Sequence, residues 1–408
     1  MRGIIGRDPG CEDRECDEDH DQDRSRSREY VMAGSAAQRF PSSSGVHGSH
    51  MLTYACSNLR GTIGCLAILA MLPFKLVYSE KYFLPIGEHI FRADKYRLIV
   101  ERLVHEGWAD SAACIEPSPA TEQDILLVHS PHYVNKLMEG SLSAREELEM
   151  EIPYSPQVVD TFMLHCGGSI LAAEHALRDG VCVNVGGGFH HAFPDHGEGF
   201  CMLNDIAIAI RKMQKRGLIQ RAMTVDCDVH QGNGTAAIFG GHSGRSGTLP
   251  SESPAALSPA AGAGEMLHGW CKDVFTISLH QENNYPLAKP PSSIDVNLPD
   301  GCGDDEYVAW LDNALSSGLR QFEPELICYV AGADPFLEDQ LGGLNLTLDG
   351  LKQRDELVFR AAHAKDIPIM VTLAGGYANR LEDTVTIHCN TVVAAAEVYR
   401  STASELRR

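Results

Sequence analysis

The sequence predicts an α/β protein with a single open, mostly parallel sheet and helices on both faces. Short apolar runs typical of buried strands alternate with longer segments whose apolar residues recur at helical spacing. This alternation is characteristic of βαβ units, in which a helix crosses over between parallel strands. A third observation agrees: clusters of His, Asp and Tyr follow directly after four of the runs, at the edge where open parallel sheets bind ligands.

The elements follow from these two patterns. The clearest helix has Ser155 as its N-cap, Pro156 at its first position and Gly180 at its end. The predicted strands are residues 76–78, 125–128, 181–185, 223–225, 274–279, 326–331 and 367–374. The predicted helices are residues 95–106, 131–139, 155–180, 203–217, 305–319, 351–364 and 384–400.

Two segments depart from this pattern. Residues 1–70 are predicted to be a disordered N-terminal extension, because residues 12–29 are almost wholly charged and residues 42–49 are rich in Ser and Gly. Residues 71–408 are expected to form one folded domain. Inside it, Gly, Ser, Ala and Pro dominate residues 240–264, which are predicted to be a flexible insert at the surface.

Charge and cysteine usage exclude several classes of protein. A formal net charge of -21 leaves no broad basic surface of the kind that direct nucleic-acid binding requires. The 13 cysteines include no C-x-x-C pair, which is typical of a reducing compartment. The apolar run at residues 63–74 is too short to span a membrane. We therefore expect a soluble cytoplasmic or nuclear protein that binds neither nucleic acid nor membrane directly.

A metal site is predicted after the strand at residues 223–225. Asp228 and His230 are two residues apart, so on an extended segment both side chains point the same way. Asp334, which follows the strand at residues 326–331, is the candidate third ligand. Two aspartates and one histidine leave a coordination position open, as catalytic zinc requires. Such an ion lowers the pKa of its water and polarises a carbonyl group.

A histidine pair is predicted to supply acid and base. His190 and His191 follow a glycine turn at residues 186–188, and one imidazole is expected at an attacking water and the other at a leaving amine. Each ring needs an orienting partner on its second nitrogen. Asp226 and Asn233, which flank the metal motif, are the candidates.

Two aromatic residues complete the candidate site. Tyr377 lies in a glycine turn, from which its phenol could donate a hydrogen bond to the oxyanion of a tetrahedral intermediate. Gly199 and Phe200 lie between the histidine pair and the next helix. Phe200 is predicted to wall a narrow apolar channel for the aliphatic stem of an acylated lysine, with ordinary core packing as the alternative.

With these residues in place, the motifs GGGFHHA, GFC, DCDVHQGNG, GADP and GGY, in this order, closely resemble the zinc-dependent histone deacetylases and their bacterial relatives. The resemblance covers about residues 76–400. Residues 342–344 and the RDELVF segment at 354–359 are most similar to the class IV branch. The resemblance to the histone deacetylases implies the arginase-deacetylase fold, hydrolysis of acylated lysine and a link to chromatin regulation.

The resemblance also implies roles for individual residues. The second histidine's partner is often Asp in this family, and here it is Asn233, which stabilises an imidazolium less than a carboxylate does. The implied roles are zinc ligation, one ion per chain, by Asp228, His230 and Asp334; catalysis by His190 and His191; oxyanion stabilisation by Tyr377; channel lining by Phe200; and, for Asp226, orientation of His190 and a place at a monovalent-cation site, usually potassium.

Several activities remain open at this point. The preferred one is hydrolysis of the amide of N-acetyl-lysine, or another N-acyl-lysine, in histones or other proteins, with release of a carboxylate. Hydrolysis of acetylpolyamines or other small acylated amines is a close alternative, since an acidic chain suits either cationic substrate. A binuclear arginase-like enzyme is disfavoured because position 336 is Phe336. A non-catalytic acyl-lysine-binding scaffold is disfavoured by the complete set of metal, base and oxyanion residues.

Overall fold

The structure, a computed structural model, describes residues 71–110, 112–240 and 272–405. All of them belong to one compact unit, Asn58–Arg408. The predicted disordered extension at residues 1–70 lies outside the described residues, as does nearly all of the predicted insert at about residues 240–264. Both therefore stay predictions.

Within the described residues, eight strands form one open sheet in which every pairing is parallel. The predicted fold class is confirmed, and this sheet is wholly rather than mostly parallel. The strand order is β2-β1-β3-β8-β7-β4-β5-β6. The strands are β1 (Leu76–Val77), β2 (Cys114–Ile115), β3 (Val181–Asn184), β4 (Ala222–Asp226), β5 (Val274–Gln281), β6 (Ile294–Leu298), β7 (Leu326–Val330) and β8 (Ile369–Thr372).

Helices pack against the sheet and against one another. The long helix α5 packs on β3 and β8 and against α6, while α10 packs on β3 and against α1 and α9, and α8 packs on β5 and β6. Over the described residues, no helix combines the length and apolar character needed to cross a bilayer. The helices are α1 (Asp94–His105), α2 (Glu122–Ile125), α3 (Pro131–Glu139), α4 (Ala144–Met150), α5 (Pro156–Asp179), α6 (Asp205–Lys215), α7 (Asn233–Phe239), α8 (Asp304–Gln321), α9 (Leu348–His363) and α10 (Leu381–Glu405).

The predicted elements are confirmed except one. Residues 125–128, predicted as a strand, are the end of the short helix α2 and the turn after it. The reason is a capping box: the Thr121 backbone N–H and hydroxyl both donate to Asp124 Oδ2, at 3.0 and 2.7 Å, which starts a helical turn. A short apolar run alone does not separate a strand from a buried helical turn.

The core positions the site. Every residue of β3, β4, β7 and β8 is buried, and these four strands are neighbours in the middle of the sheet. Because all of them run in the same direction, their carboxyl ends meet at one edge. The loops that leave those ends are therefore close together although they are distant in sequence.

Candidate active site

Each of the four central strands, β3, β4, β7 and β8, is followed by a loop that contains predicted site residues. The loop after β3 carries His190 and His191, the loop after β4 carries Asp228 and His230, and the loop after β7 carries Asp334. The loop after β8 carries Tyr377. The structure thus brings together all the predicted site residues at the carboxyl edge of the sheet.

The glycine turn before the histidines is held by a buried carboxylate. Asp205, at the start of α6, accepts hydrogen bonds from the backbone N–H groups of Gly188 at 3.1 Å and Phe189 at 2.8 Å. Gly188 has a φ of +88°, and a Cβ there would lie 2.5 Å from the Cβ of Ala374. Only glycine fits this close contact between the loops after β3 and β8.

Asp228, His230 and Asp334 form a compact buried cluster. One possible ligand atom from each lies within 4.8 Å of the others. His230 Nδ1 is 3.1 Å from Asp228 Oδ1 and 3.4 Å from Asp334 Oδ2. Two carboxylate oxygens and one imidazole nitrogen are the donor set of a catalytic zinc site with three protein ligands.

Two observations test whether these residues fit a cation. Asp334 Oδ2 is buried and has no hydrogen-bond partner, although His230 Nδ1 lies 3.4 Å away. Burial, followed by the nearby Asp228 carboxylate, raises the pKa of Asp334. Space for an ion is also preserved, because a Cβ at Gly375 would lie 2.2 Å from Asp334 Oδ2 and 2.5 Å from Asp228 Oδ2. The cluster therefore fits a divalent cation.

The two histidines differ in their partners. His190 Nδ1 is 2.7 Å from Asp226 Oδ2, and His191 Nδ1 is 2.7 Å from Asn233 Oδ1, so both predicted pairings are present. Burial alone would lower the pKa of His190, but Asp226 and Asp228 outweigh it and raise the pKa to about 9. Burial and the neighbouring His190 hold the pKa of His191 well below its usual value.

A narrow aromatic pocket leads to the cluster. Its lining includes Phe91, Gly199 and Phe200 as well as His230 and Tyr377. The Phe200 and Tyr377 ring centroids are 5.9 Å apart, and those of His230 and Tyr377 are 6.4 Å apart. These distances place the Tyr377 ring next to His230 and the Phe200 ring next to Tyr377.

Two buried cations, which the sequence did not reveal as part of the site, brace its loops. Arg354 is fully buried and its Nη1 donates to the carbonyls of Gly332 at 2.6 Å and Cys227 at 3.3 Å, in the loops that carry Asp334 and Asp228. Lys95 Nζ donates to the Ala374 carbonyl at 2.6 Å. The only sequence signal for Arg354 was its place in the RDELVF segment.

Phe91, Glu198 and Tyr285 were also missed. Phe91 reaches the pocket from the loop before α1. Tyr285 packs edge-on against His191, with ring centroids 5.0 Å apart, and its hydroxyl donates to Glu198 at 2.5 Å. Glu198 directly precedes the predicted Gly199 and Phe200, and that adjacency was the available signal.

With this geometry established, the chain can be assigned to a family: residues 89–392 match the histone deacetylase domain, and the chain belongs to that family. It is an amidohydrolase of the histone deacetylase family. Most of the folded domain, including every strand end that carries a site residue, lies within the matched range.

Individual proteins are similar to this chain. The chain is 38% identical over 327 residues to an uncharacterized protein of Picosynechococcus sp. strain PCC 7002, covering 80% of this chain and 99% of that protein. It is 33% identical to histone deacetylase 2 of Arabidopsis thaliana, covering 74% of each. A crystal structure of an HDAC homolog complexed with SAHA shares the fold, with a TM-score of 0.61, 24% identity and coverage of 80% of this chain and 88% of that one.

Proposed function

We propose that the protein is a zinc-dependent deacetylase that hydrolyses the amide of N-acetyl-lysine, or of another N-acyl-lysine, in histones or other proteins. The observation that carries this proposal is the buried cluster of Asp228, His230 and Asp334 at the end of a narrow aromatic pocket, beside the histidine pair. Membership of the histone deacetylase family supports it.

Each side chain has a role in this reaction. Asp228, His230 and Asp334 would hold zinc, which when bound supplies a Lewis acid for the scissile carbonyl and for the attacking water. His191 is uncharged at neutral pH because its pKa is low, so its ring can accept a proton from that water. His190, whose pKa is raised, carries a proton that it can give to the leaving amine.

The aromatic residues position the substrate. Tyr377 is held by its backbone N–H, which donates to Asp339 Oδ2 at 2.7 Å, and its phenol would donate to the oxyanion. Phe91 and Phe200, whose ring centroids are 6.3 Å apart, would flank the methylene stem of an acylated lysine and exclude water.

Hydrolysis of acetylpolyamines or other small acylated amines is the second candidate, because the same residues would act on any acylated primary amine. The net charge of -21 favours a cationic substrate of either kind. Among the described residues, a single group of three clustered ligands was found, which supports one metal ion rather than two. Potassium at Asp226, the class IV affinity and a cytoplasmic or nuclear location stay predictions.

A turnover assay separates these candidates. We expect zinc-loaded protein to release acetate from an acetyl-lysine peptide at a higher kcat/KM than from an acetylpolyamine, and chelation to abolish both activities. A preference for the acetylpolyamine would replace the proposed substrate by the second candidate. Undiminished turnover after complete zinc removal would refute the zinc-dependent reaction.

A further inference from the structure

Asn233 bridges His191 to a carboxylate. Its Oδ1 is 2.7 Å from His191 Nδ1, and its Nδ2 donates to Glu198 Oε1 at 2.8 Å. The residue that replaces the family's usual aspartate is thus not a lone amide. His190 contacts the carboxylate of Asp226 directly. His191 is instead separated from the carboxylate of Glu198 by the Asn233 amide.

The carboxylate determines which way the amide faces. An ionised carboxylate can only accept hydrogen bonds, so the Asn233 NH₂ group must point at Glu198 and its oxygen at His191. The Gly234 backbone N–H also donates to this Asn233 oxygen, at 3.0 Å, but that uncharged hydrogen bond is weaker than the charge-assisted one to Glu198 and does not fix the amide alone. An amide oxygen is also only an acceptor, so His191 Nδ1 must carry a hydrogen. Nε2 is then the ring nitrogen with a free lone pair.

Glu198 is itself held in place. It accepts from the Tyr285 hydroxyl at 2.5 Å, and its Oε2 lies 3.5 Å from His196 Nε2. Burial alone would raise the pKa of Glu198, but the hydrogen bonds from His196, Tyr285 and Asn233 outweigh it and lower the pKa. The carboxylate is therefore ionised at neutral pH and fixed on three sides.

We propose that Glu198 is a positioning residue that fixes the tautomer of His191 by orienting the Asn233 amide. It keeps the hydrogen on Nδ1 and the Nε2 lone pair available to accept a proton. The consequence for turnover rests on the proposed function, whereas the tautomer itself does not.

The test measures tautomer and turnover separately. Long-range ¹H–¹⁵N NMR of zinc-free protein reports which His191 nitrogen carries the hydrogen, with the resonances assigned from a His191→Gln variant. In the wild type we expect the hydrogen on Nδ1. In Glu198→Ala, where the acceptor is gone, we expect a mixture that includes the Nε2–H form. With an acetyl-lysine peptide, kcat should fall roughly tenfold to a hundredfold with little change in KM.

Two further variants separate positioning from a general loss of structure or charge. Glu198→Gln keeps an acceptor oxygen towards Asn233 and should restore the Nδ1–H form and most of kcat. Glu149→Ala removes a carboxylate from the segment whose backbone bonds to Gly199, but this carboxylate pairs with Arg145. It should change neither measurement.

An Nδ1–H signal and kcat that are both unchanged in Glu198→Ala would overturn the proposal, as would a Glu198→Gln variant as impaired as Glu198→Ala. If the tautomer shifts as expected but wild-type protein hydrolyses no acylated amine, the proposed function fails and the positioning role stands.

Discussion

The two sides of the site use the same residue type in opposite electrostatic settings. His190 and His191 are adjacent, with ring centroids 4.1 Å apart, and both are buried. His190 contacts a buried carboxylate, and its pKa is raised to about 9, whereas His191 contacts a neutral amide and its pKa is lowered. Burial lowers the pKa of both rings, so the difference comes from the charges around them: Asp226 and Asp228 outweigh burial at His190, whereas the neighbouring His190 adds to burial at His191 and Asn233 offers no charge to oppose it.

The two sides also differ in how they are anchored. The His190 side rests on Asp226, and the backbone carbonyl of the next residue, Cys227, accepts from the fully buried Arg354. The His191 side rests on Asn233 and then on Glu198, whose side chain is 22% exposed. His190 is thus tied to the protein core, and His191 is tied to a partly exposed carboxylate.

Exchanging the partners tests the comparison most strongly. Asp226→Asn removes the carboxylate that keeps His190 protonated, and we expect kcat to fall by about 10² to 10⁴. Asn233→Asp gives His191 a charged partner, and we expect a smaller loss, because a raised pKa weakens but does not abolish its action as a base. The measurement is kcat on an acetyl-lysine peptide at neutral pH.

A control keeps stability effects apart from catalytic ones. Asp124→Asn removes a mostly buried carboxylate that pairs with Lys212 and has no hydrogen bond to a site residue, so kcat should stay unchanged. If Asn233→Asp costs as much as Asp226→Asn, the two histidines are not differentiated by their partners.

Replacing the buried Arg354 should lower the free energy of unfolding more than replacing the partly exposed Glu198. Arg354→Met leaves Asp355 buried without its cation, and we expect a loss of about 3–5 kcal/mol in the free energy of unfolding. On the same helix, Arg360 pairs with Glu356 at 2.7 Å but its side chain is 69% exposed. Arg360→Met should therefore cost under about 1 kcal/mol.

Urea denaturation of the zinc-free proteins measures both changes. The loss in the free energy of unfolding of Glu198→Ala should lie between the losses of the two arginine variants. Equal losses for Arg354→Met and Arg360→Met would show that the buried ion pair does not anchor the His190 side.

The sequence predicted the parts of this site that depend on local pattern. The runs at β3, β4, β7 and β8 are apolar because these strands are buried on both faces, so strand ends and the motifs after them could be placed together. β6 was missed because it alternates buried and half-buried positions and includes Asp295 and Asn297, so it has no continuous apolar run.

Contacts between distant segments could not be predicted. Arg354 lies 127 residues from Cys227, and Asn233 lies 35 residues from Glu198. Nothing in the local spacing of either residue indicates its partner, because those contacts depend on how the loops converge in three dimensions. The sequence identified Asn233 as a departure from the family pattern, and the structure showed that its amide donates a hydrogen bond to Glu198.

We expect Asp228, His230 and Asp334 to share one zinc ion. Elemental analysis of protein stripped with a chelator, reloaded with zinc and desalted tests it directly. We predict one zinc per chain in the wild type, and none retained, with no turnover, in Asp228→Ala and Asp334→Ala. A full equivalent of zinc or full activity in either variant would contradict the account.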